Sequence, residues 1–157
     1  MSNKIPPPIV TLFFGLCLYL SRSYFPEFSS SVLSSLSVIS FVIGISVFVA
    51  AVSSFKKQET TVNPISIEKA SSLVVDGIFK YSRNPMYLGM SFILLGLTFK
   101  FNVIGGLLFT IIFMLFITIF QIKPEEVDME KLFDQEWKDY IKNCLLYTSD
   151  AADEWWG

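Results

Sequence analysis

The sequence predicts an all-α, polytopic membrane protein with about four transmembrane helices and a cytoplasmic amphipathic helix near its carboxyl end. Two observations lead to this prediction. First, 52% of the 157 residues are hydrophobic and only 17% are charged, whereas soluble domains contain about 45–50% apolar and about 25% charged residues. Second, the apolar residues lie in long runs with few or no charges, as expected for segments that cross a bilayer.

Four apolar runs define the expected helices. The second and fourth runs are long enough to cross the hydrocarbon core, which takes about 20 residues. The third run is shorter, so we expect Arg83 and Lys100 at its ends to extend their side chains towards the lipid headgroups. The expected helices cover residues 8–25, 32–55, 84–99 and 101–122.

The first run also resembles a secretory signal peptide, because it combines Lys4, a short apolar stretch and the sequence Ser-Arg-Ser at residues 21–23. The prolines at residues 6–8 interrupt its amino-terminal part, however, and a single lysine makes a weak positive region. We therefore favour a retained helix and keep cleavage as the alternative.

Beyond the fourth run, apolar and aromatic side chains recur at helical spacing between charged residues, which predicts an amphipathic helix over residues 125–142. Residues 1–143 would then form a single domain. The periodicity stops after Lys142, and residues 144–157 resemble the adaptor-derived or frame-shifted endings found in assembled transcripts. We expect that this tail is not native.

The distribution of positive charge predicts the orientation in the membrane. Ten of the 12 Lys and Arg residues lie in the amino-terminal segment, the second connection and the carboxyl-terminal segment. Only Arg22 and Lys100 lie in the other two connections. Because Lys and Arg are enriched in cytoplasmic loops, both termini and residues 56–83 are expected on the cytoplasmic side.

The composition excludes several classes of function. A net charge of −2 does not provide the basic surface that nucleic-acid-binding proteins use. The absence of His and the presence of only two Cys leave too few ligands for a typical zinc site, so we expect no metal. Pumps and exchangers usually carry an ionisable residue at mid-membrane depth, which these runs lack. A small transporter or an assembly scaffold remains the non-enzymatic alternative.

Polar residues that could carry chemistry are concentrated at the expected cytoplasmic end of the third helix. Asn84-Pro85 predicts the start of this helix, because proline lacks the N–H group that the first turn leaves unused. Arg83 then lies at the mouth of the helix and Tyr87 about one turn inside it. The free N–H groups and the positive dipole end form a potential anion-binding site there.

A pair of acidic residues follows the fourth helix. If the third and fourth helices form a hairpin, Glu125 and Glu126 return to the same membrane face as Arg83. Carboxylates at the C-terminal end of a helix oppose its dipole, whereas at the start of the next helix they are favourable. The spacing alone leaves open whether the pair is functional or simply faces water.

Together these motifs resemble the integral-membrane methyltransferases that include isoprenylcysteine carboxyl methyltransferases and phospholipid methyltransferases. The signature of that family is an Arg-His-Pro-x-Tyr-x-Gly block, preceded by Leu-Val and Gly and followed, after the next helix, by two Glu residues. The corresponding residues here are Arg83 to Gly89, Leu73-Val74 with Gly77, and Glu125-Glu126. The family pattern of a downstream apolar residue, a Phe and two aromatic residues is also met, at Met129, Phe133, Trp137 and Tyr140, and Asn63-Pro64 resembles the Asn-Pro pair of many bacterial-type members. The resemblance covers about residues 40 to 143.

The resemblance implies a helical membrane enzyme that uses S-adenosylmethionine without the Gly-rich nucleotide fold, and the chain contains no G-x-G-x-x-G motif. By the family pattern, the residues expected to bind this cofactor are Ser71, Ser72, Leu73, Val74, Phe79, Asn84, Pro85, Met86, Tyr87 and Glu125. Those expected to take part in catalysis are Arg83, Tyr87, Glu125 and Glu126. Gln121 occupies the position where isoprenylcysteine enzymes direct an Arg towards the substrate.

The resemblance also implies a lipophilic methyl acceptor, such as the carboxylate of a prenylated cysteine, with membrane lipids around the protein. A phospholipid amine or another lipid remains open. Gln121 in place of Arg argues against a strict isoprenylcysteine substrate, and Asn84 in place of His removes a titrating imidazole while keeping a hydrogen-bonding group. An amine acceptor must lose a proton, for which the candidates are Glu125, Glu126 and Tyr87.

A related membrane reductase family carries a similar Arg/His-x-Tyr-x-Gly block. Its members are longer and have many more helices, so the length of 157 residues speaks against this interpretation. The sequence does not indicate the oligomeric state.

Overall fold

The structure is a computed structural model that describes residues 5–57 and 72–144. These residues form helices and contain no strand, which confirms the predicted all-α class for this part of the chain. The helices are α1 (Pro7–Ser21), α2 (Ser31–Lys57), α3 (Pro85–Phe101), α4 (Val103–Ile117) and α5 (Lys123–Asn143). Single 3₁₀ turns lie at Arg22–Tyr24 and Gly77–Lys80, and a π-helical turn at Thr118–Ile122 joins α4 to α5.

Within residues 5–57 and 72–144, two helical stretches are long and apolar enough to cross a membrane. One is α2, and the other is the continuous helix that begins at Val103 and runs through the π-helical turn into α5. The helix α3 is apolar but has 17 residues, and α1 has 15. At 1.5 Å per residue they measure about 26 Å and about 23 Å, less than the roughly 30 Å of a hydrocarbon core.

Helix α1 ends earlier than the expected residue 25. The backbone becomes extended at Phe25 (φ −125°, ψ 152°), directly before Pro26. Proline disfavours the α conformation in the residue before it, so the helix cannot continue through this position. The guanidinium of Arg22 instead lies over the ring of Tyr19, 4.2 Å from its centroid.

The four helices α1 to α4 alternate in direction. Ile5, just before α1, contacts Gln121 at the end of the π-helical turn, and Phe25, just after α1, lies against Gly105 at the start of α4. Ser37 near the start of α2 donates a hydrogen bond to the carbonyl of Gly96, near the end of α3, at 2.8 Å. The end of the bundle where α1 and α3 begin is called the site end below, because the sequence-predicted site residues lie there.

Helices α2 and α3 pack with their backbones in contact. A Cβ atom on Gly44 would lie 2.8 Å from the carbonyl oxygen of Gly89, and a Cβ atom on Gly89 would lie equally close to the carbonyl of Gly44. Ser37 and Ser40 are buried in the same interface. Small residues allow this close approach, and it fixes the height at which α3 begins relative to α2.

A single residue, Asn102, separates α3 from α4. Its side-chain Oδ1 accepts a hydrogen bond from the backbone N–H of Gly105 at 3.0 Å and so caps α4. The hydroxyls of Thr98 and Thr110 lie 3.1 Å apart across the hairpin, and Gly106 packs closely against Thr98. This tight hairpin returns the chain to the site end directly beside the start of α3.

The buried core lies between α1, α3 and α4. The rings of Phe14 and Phe113 meet edge to face with centroids 5.6 Å apart. Residues on the outer faces of the helices are exposed and apolar, such as Leu12, Val42 and Leu115. An exposed apolar surface around a packed core is the arrangement that contact with lipid requires. The buried core residues are Val10, Phe14, Tyr87, Met90, Leu94, Phe113 and Ile117.

Helix α5 is broken at Asp134, where φ is 35° and ψ is −99°. The Asp134 carboxylate accepts a hydrogen bond from Lys138 at 2.8 Å, one turn beyond the break. Positive φ is unfavourable for a residue with a side chain, so the surrounding contacts must hold this conformation. The break changes the direction of the last ten residues of the helix.

We expect Gly89→Ala to destabilise the bundle strongly, because the new methyl group would meet the backbone oxygen of Gly44 and the backbone N of Phe48 at 3.1 Å. Overpacking of this kind costs about 1–3 kcal/mol. Gly15→Ala is the matched control, since its methyl group would meet only the ends of flexible side chains, Leu97 at 3.3 Å and Leu94 at 3.7 Å. Thermal unfolding in detergent measures both. Equal melting temperatures for the two variants would show that the α2–α3 contact is looser than described.

Candidate active site

The side chain of Tyr87 meets the first acid of the Glu pair. Tyr87 lies in the first turn of α3 and is 7% exposed, and its hydroxyl donates a hydrogen bond of 2.6 Å to Glu125 Oε1. A hydrogen bond from a neutral hydroxyl to a carboxylate is short and stronger than one between neutral groups. The contact joins residues 38 positions apart in sequence and depends on the α3–α4 hairpin.

The second acid pairs with the arginine that precedes α3. Nη1 of Arg83 lies 3.0 Å from Oε1 of Glu126, and the two side chains are 22% and 25% exposed. Both acids therefore lie on the face that holds Arg83 and Tyr87, as expected for a hairpin of α3 and α4. Each acid has a different partner, a hydroxyl for Glu125 and a guanidinium for Glu126.

Both acids lie in the first turn of α5. This helix continues directly from the π-helical turn, and the N–H of Lys123 already bonds to the carbonyl of Thr118. The start of α5 is therefore not a free helix end, and its dipole can contribute only weakly to stabilising carboxylates. The contacts with Tyr87 and Arg83 are the main local compensation for placing two acids there.

The predicted substrate residue Gln121 is buried in the π-helical turn, one turn before Glu125, and is 2% exposed. Its Nε2 donates a hydrogen bond of 2.8 Å to the backbone carbonyl of Ile5. A carbonyl can only accept, so this contact fixes the orientation of the amide. Oε1 is then directed elsewhere and has no hydrogen-bond partner among residues 5–57 and 72–144.

The turn before Arg83 depends on Gly77. Its φ is +65°, a conformation that glycine adopts easily, and a Cβ atom there would lie 2.9 Å from Oγ of Ser54 on α2. The 3₁₀ turn Gly77–Lys80 follows immediately. The turn predicted at Asp76-Gly77 thus brings the chain against the end of α2.

Two of the residues expected to bind the cofactor have buried apolar side chains in this segment. Val74 and Phe79 are 5% and 6% exposed and pack with Ala51, while Met86 lies against the same cluster. The rings of Phe79 and Phe55 meet edge to face with centroids 5.2 Å apart. The side chains of Val74 and Phe79 therefore fasten the segment to α2.

Asn84 and Pro85 begin α3 as predicted from the Asn-Pro pair. Pro85 is fully buried as the first helical residue, and Asn84 occupies the N-cap position. The Asn84 side chain makes no capping hydrogen bond, while its backbone N–H donates to Oγ of Ser82 at 3.3 Å. The amide of Asn84 therefore does not serve the start of the helix.

The remaining predicted cofactor residues lie at the edge of the described segment. Ser71 lies outside the residues that the structure describes, as do Asn63-Pro64 and residues 145–157 of the tail. Ser72 Oγ is buried, and the described part of the chain offers it no hydrogen-bond partner. Leu73 packs against the C-terminal part of α5, in a cluster with Trp137, Tyr140 and Cys144.

Tyr140 belongs to this region but was not among the predicted site residues. Its hydroxyl donates a hydrogen bond of 2.7 Å to the backbone carbonyl of Phe79, and the Cys144 thiol lies 3.7 Å from the same oxygen. Burial, together with the neighbouring thiol, raises the pKa of Tyr140 above its usual range, so the hydroxyl stays protonated and acts as a donor. The helical spacing of aromatic residues indicated a packed face, but nothing in the pattern indicated a backbone partner.

An open cleft lies between residues 73–81 and the C-terminal part of α5, with a volume of about 770 Å³. Its walls include Leu73, Tyr81 and Tyr140 together with the carboxylates of Glu136 and Asp139. Ligand-binding pockets usually have about 300–1,000 Å³, so a small molecule could fit here. No group of three or more His, Cys, Asp or Glu side chains within residues 5–57 and 72–144 is arranged to hold a metal ion.

Comparison with known families identifies the chain. Residues 32–136, about two thirds of the sequence, match the model of a family described as phospholipid methyltransferase. The chain belongs to the phospholipid methyltransferase family. This confirms the resemblance inferred from the Arg83 to Gly89 block and the Glu pair. No curated protein and no solved structure gave a significant match to the chain.

Membership of the phospholipid methyltransferase family implies methyltransferase activity, and together with the apolar helices it identifies a membrane protein. The matched range contains every site residue predicted from the sequence, from Ser71 to Glu126. Helix α1 and Tyr140 lie outside it. Contacts made by these two parts are therefore features of this chain that the family match does not describe.

In this phospholipid methyltransferase family member, we expect the Arg83–Glu126 pair to contribute measurably to stability. A double-mutant cycle with Arg83→Gln and Glu126→Gln should give a coupling free energy of about 1 kcal/mol or more, because both side chains are three-quarters buried. Asp76 and Lys80, 3.6 Å apart and mostly exposed, form the control pair. Their cycle should give less than about 0.5 kcal/mol. Denaturant unfolding in detergent measures both, and equal couplings would contradict the expected difference.

Proposed function

We propose that the protein is an S-adenosylmethionine-dependent methyltransferase that methylates a lipophilic acceptor at the cytoplasmic surface of a membrane. The observation that carries this proposal is the joining of α3 to α5 by Tyr87–Glu125 and Arg83–Glu126 at one end of an apolar helical bundle. A polar site at the end of such a bundle can receive a water-soluble cofactor from one side and a membrane-dissolved acceptor from the other.

The residues at the site fit this cofactor. It supplies an activated methyl group on a sulfonium, and its other end carries a carboxylate and an ammonium group. Arg83 can bind a carboxylate and Glu126 an ammonium, both through charge-assisted hydrogen bonds. The buried hydroxyl of Ser72 lacks a hydrogen-bond partner in the described part of the chain, and the cleft beside Leu73 has the volume of a ligand pocket.

The roles of the remaining residues follow from these contacts. Backbone groups of residues 72–74 and 84–86 would line the cofactor, since the side chain of Val74 is buried in the cluster on α2. Phe79 would contribute to the shape of this segment, because its N–H donates to Asp76 and its carbonyl accepts from Tyr140. Methyl transfer is a displacement in which correct positioning supplies most of the acceleration. We assign this positioning to Tyr87 and Glu125, which hold α3 and α5 together at 2.6 Å.

Gln121 favours an amine as the acceptor. Its Oε1 is buried and has no hydrogen-bond partner among the described residues, while its Nε2 is committed to Ile5. The free position is therefore an acceptor oxygen, which an N–H or O–H group can satisfy and a carboxylate cannot. A phospholipid amine fits this requirement better than the carboxylate of a prenylated cysteine.

An amine acceptor has to lose a proton, and we assign its removal to Glu125. The Tyr87 hydroxyl donates to Glu125, so it stabilises the carboxylate and is not itself the base. Glu126 is paired with Arg83 and, in this proposal, with the ammonium group of the cofactor. A carboxylate within reach of the acceptor is sufficient for general base catalysis.

We further propose that α1 to α4 all span the bilayer, with the site end in the cytoplasm. The lysines and arginines are concentrated at that end. Because α1 and α3 are shorter than the hydrocarbon core, they would span it where the bilayer is locally thinner or where basic side chains at their ends extend to the headgroups. Residues 1–143 form a single domain in this proposal, and α5 lies at the membrane surface.

Binding of S-adenosylmethionine to the purified protein in detergent tests the proposal. We expect saturable binding by the wild type and a loss of about tenfold or more for Glu125→Gln and Tyr87→Phe, because their contact holds α3 and α5 around the cofactor. Tyr87→Phe removes the hydrogen bond, and Glu125→Gln removes its charge, which accounts for about half of its strength. Tyr24→Phe, at an 86% exposed position in the turn after α1, is the control and should bind as the wild type does. Absence of saturable binding by the wild type would refute the proposed activity.

Transfer of a labelled methyl group distinguishes the acceptors. We expect methylation of phosphatidylethanolamine in vesicles in preference to a prenylcysteine analogue. Gln121→Met should lower kcat/KM for the amine about fivefold to tenfold, because it removes the acceptor oxygen at nearly constant volume. Gln135→Met, at an exposed glutamine on α5, is the matched control. Preferential methylation of the prenylcysteine carboxylate would contradict the assignment of an amine.

A further inference from the structure

Two parts of helix α5, one near its start and one near its end, contact the segment of residues 79–83. The Tyr140 hydroxyl donates to the carbonyl of Phe79 at 2.7 Å, and Glu126 lies 3.0 Å from Arg83. In a straight helix, residues 126 and 140 would be about 21 Å apart, at 1.5 Å per residue. The break at Asp134 lies between these two contacts, so the two parts of α5 need not follow one straight axis to reach the same short segment.

The backbone of this segment has few local hydrogen bonds, chiefly those of the Tyr81 and Ser82 N–H groups to the carbonyl of Ile78, at 3.1 and 3.2 Å. Its first two residues belong to the 3₁₀ turn Gly77–Lys80, and the hydrogen bonds of such a turn have poorer geometry than those of an α-helix. The turn begins at Gly77, the residue type with the greatest conformational freedom. The Phe79 ring is fixed by packing on Phe55, but ring packing does not determine the direction of the carbonyl group.

Tyr140 is the stronger of the two donors to that carbonyl. Its hydroxyl is buried and close, whereas the thiol of Cys144 is a weak donor at 3.7 Å. The Tyr140 ring is held separately, by Trp137 with centroids 5.7 Å apart and by the cluster that includes Leu73. The hydroxyl can therefore be removed while the ring packing stays.

We propose that Tyr140 is a positioning residue, whose hydrogen bond to Phe79 orients residues 79–83 so that Arg83 is held ready for the anionic end of the cofactor. This inference rests on the proposed function, in which Arg83 binds the carboxylate of S-adenosylmethionine. It adds a residue from outside the matched family range to the site. Tyr140 acts through the segment and does not itself touch the reacting groups.

Tyr140→Phe tests the inference, with kcat and KM measured separately in the methylation assay. We expect KM for S-adenosylmethionine to rise about fivefold to tenfold, with kcat within about twofold of the wild type. The reason is that residues 79–83 lose their fixed orientation while Glu125 and Glu126 remain in place. Tyr24→Phe is the control, since Tyr24 is 86% exposed in the turn after α1, far from the cleft, and it should leave KM unchanged.

A double variant separates positioning from a general loss of stability. Arg83→Gln should raise KM by itself, and adding Tyr140→Phe should raise it little further, because both changes act on the same contact. Hydrogen exchange on the same samples should be faster for residues 79–83 of Tyr140→Phe and unchanged for α3. Faster exchange throughout α3, or multiplicative effects on KM, would overturn the inference.

The outcomes for the wild type and the variant distinguish the two proposals. If the wild type binds no S-adenosylmethionine, the proposed function fails and this inference fails with it. If the wild type binds and Tyr140→Phe has the same KM, only the positioning role is refuted. A higher KM with unchanged kcat and locally faster exchange supports both.

Discussion

The hairpin between α3 and α4 is the constraint on which the site depends. Asn102 caps α4 one residue after α3 ends, and the hydroxyls of Thr98 and Thr110 lie 3.1 Å apart across the pair. Because the connection is only one residue long, the start of α3 and the end of α4 are held side by side at the same level along the bundle axis. The contact between Tyr87 and Glu125 is a direct result of this register, since neither side chain is long enough to correct a shift of one turn.

Much of this architecture was predictable because hydrophobic runs, proline and glycine act locally. The uncharged stretches predicted the helices, Asn84-Pro85 predicted the start of α3, and the Glu pair was expected opposite Arg83. Those predictions needed only helix geometry and the assumption of a hairpin. The individual pairing of Tyr87 with Glu125 could not be predicted, because it depends on rotation of α5 about its axis.

The features that the sequence did not reveal depend on contacts between distant segments. Glutamine is common in helices, so its presence at position 121 does not indicate a special role. Its hydrogen bond to Ile5 joins residues 116 positions apart. The break at Asp134 has no proline or glycine to indicate it. Tyr140 is part of a regular aromatic spacing, so a pattern shows its burial but not the carbonyl that it binds.

The π-helical turn at Thr118–Ile122 carries a consequence for how this site could have arisen. Such a turn holds one residue more than the α-helical turn that could replace it, and each helical residue advances the chain by about 100° around the axis. Deletion of a single residue there would swing both acids about a quarter of a revolution, away from Arg83 and Tyr87, while the apolar span of α4 stayed intact. One inserted residue is therefore enough to convert a plain membrane hairpin into one that presents its carboxylates to the neighbouring helix.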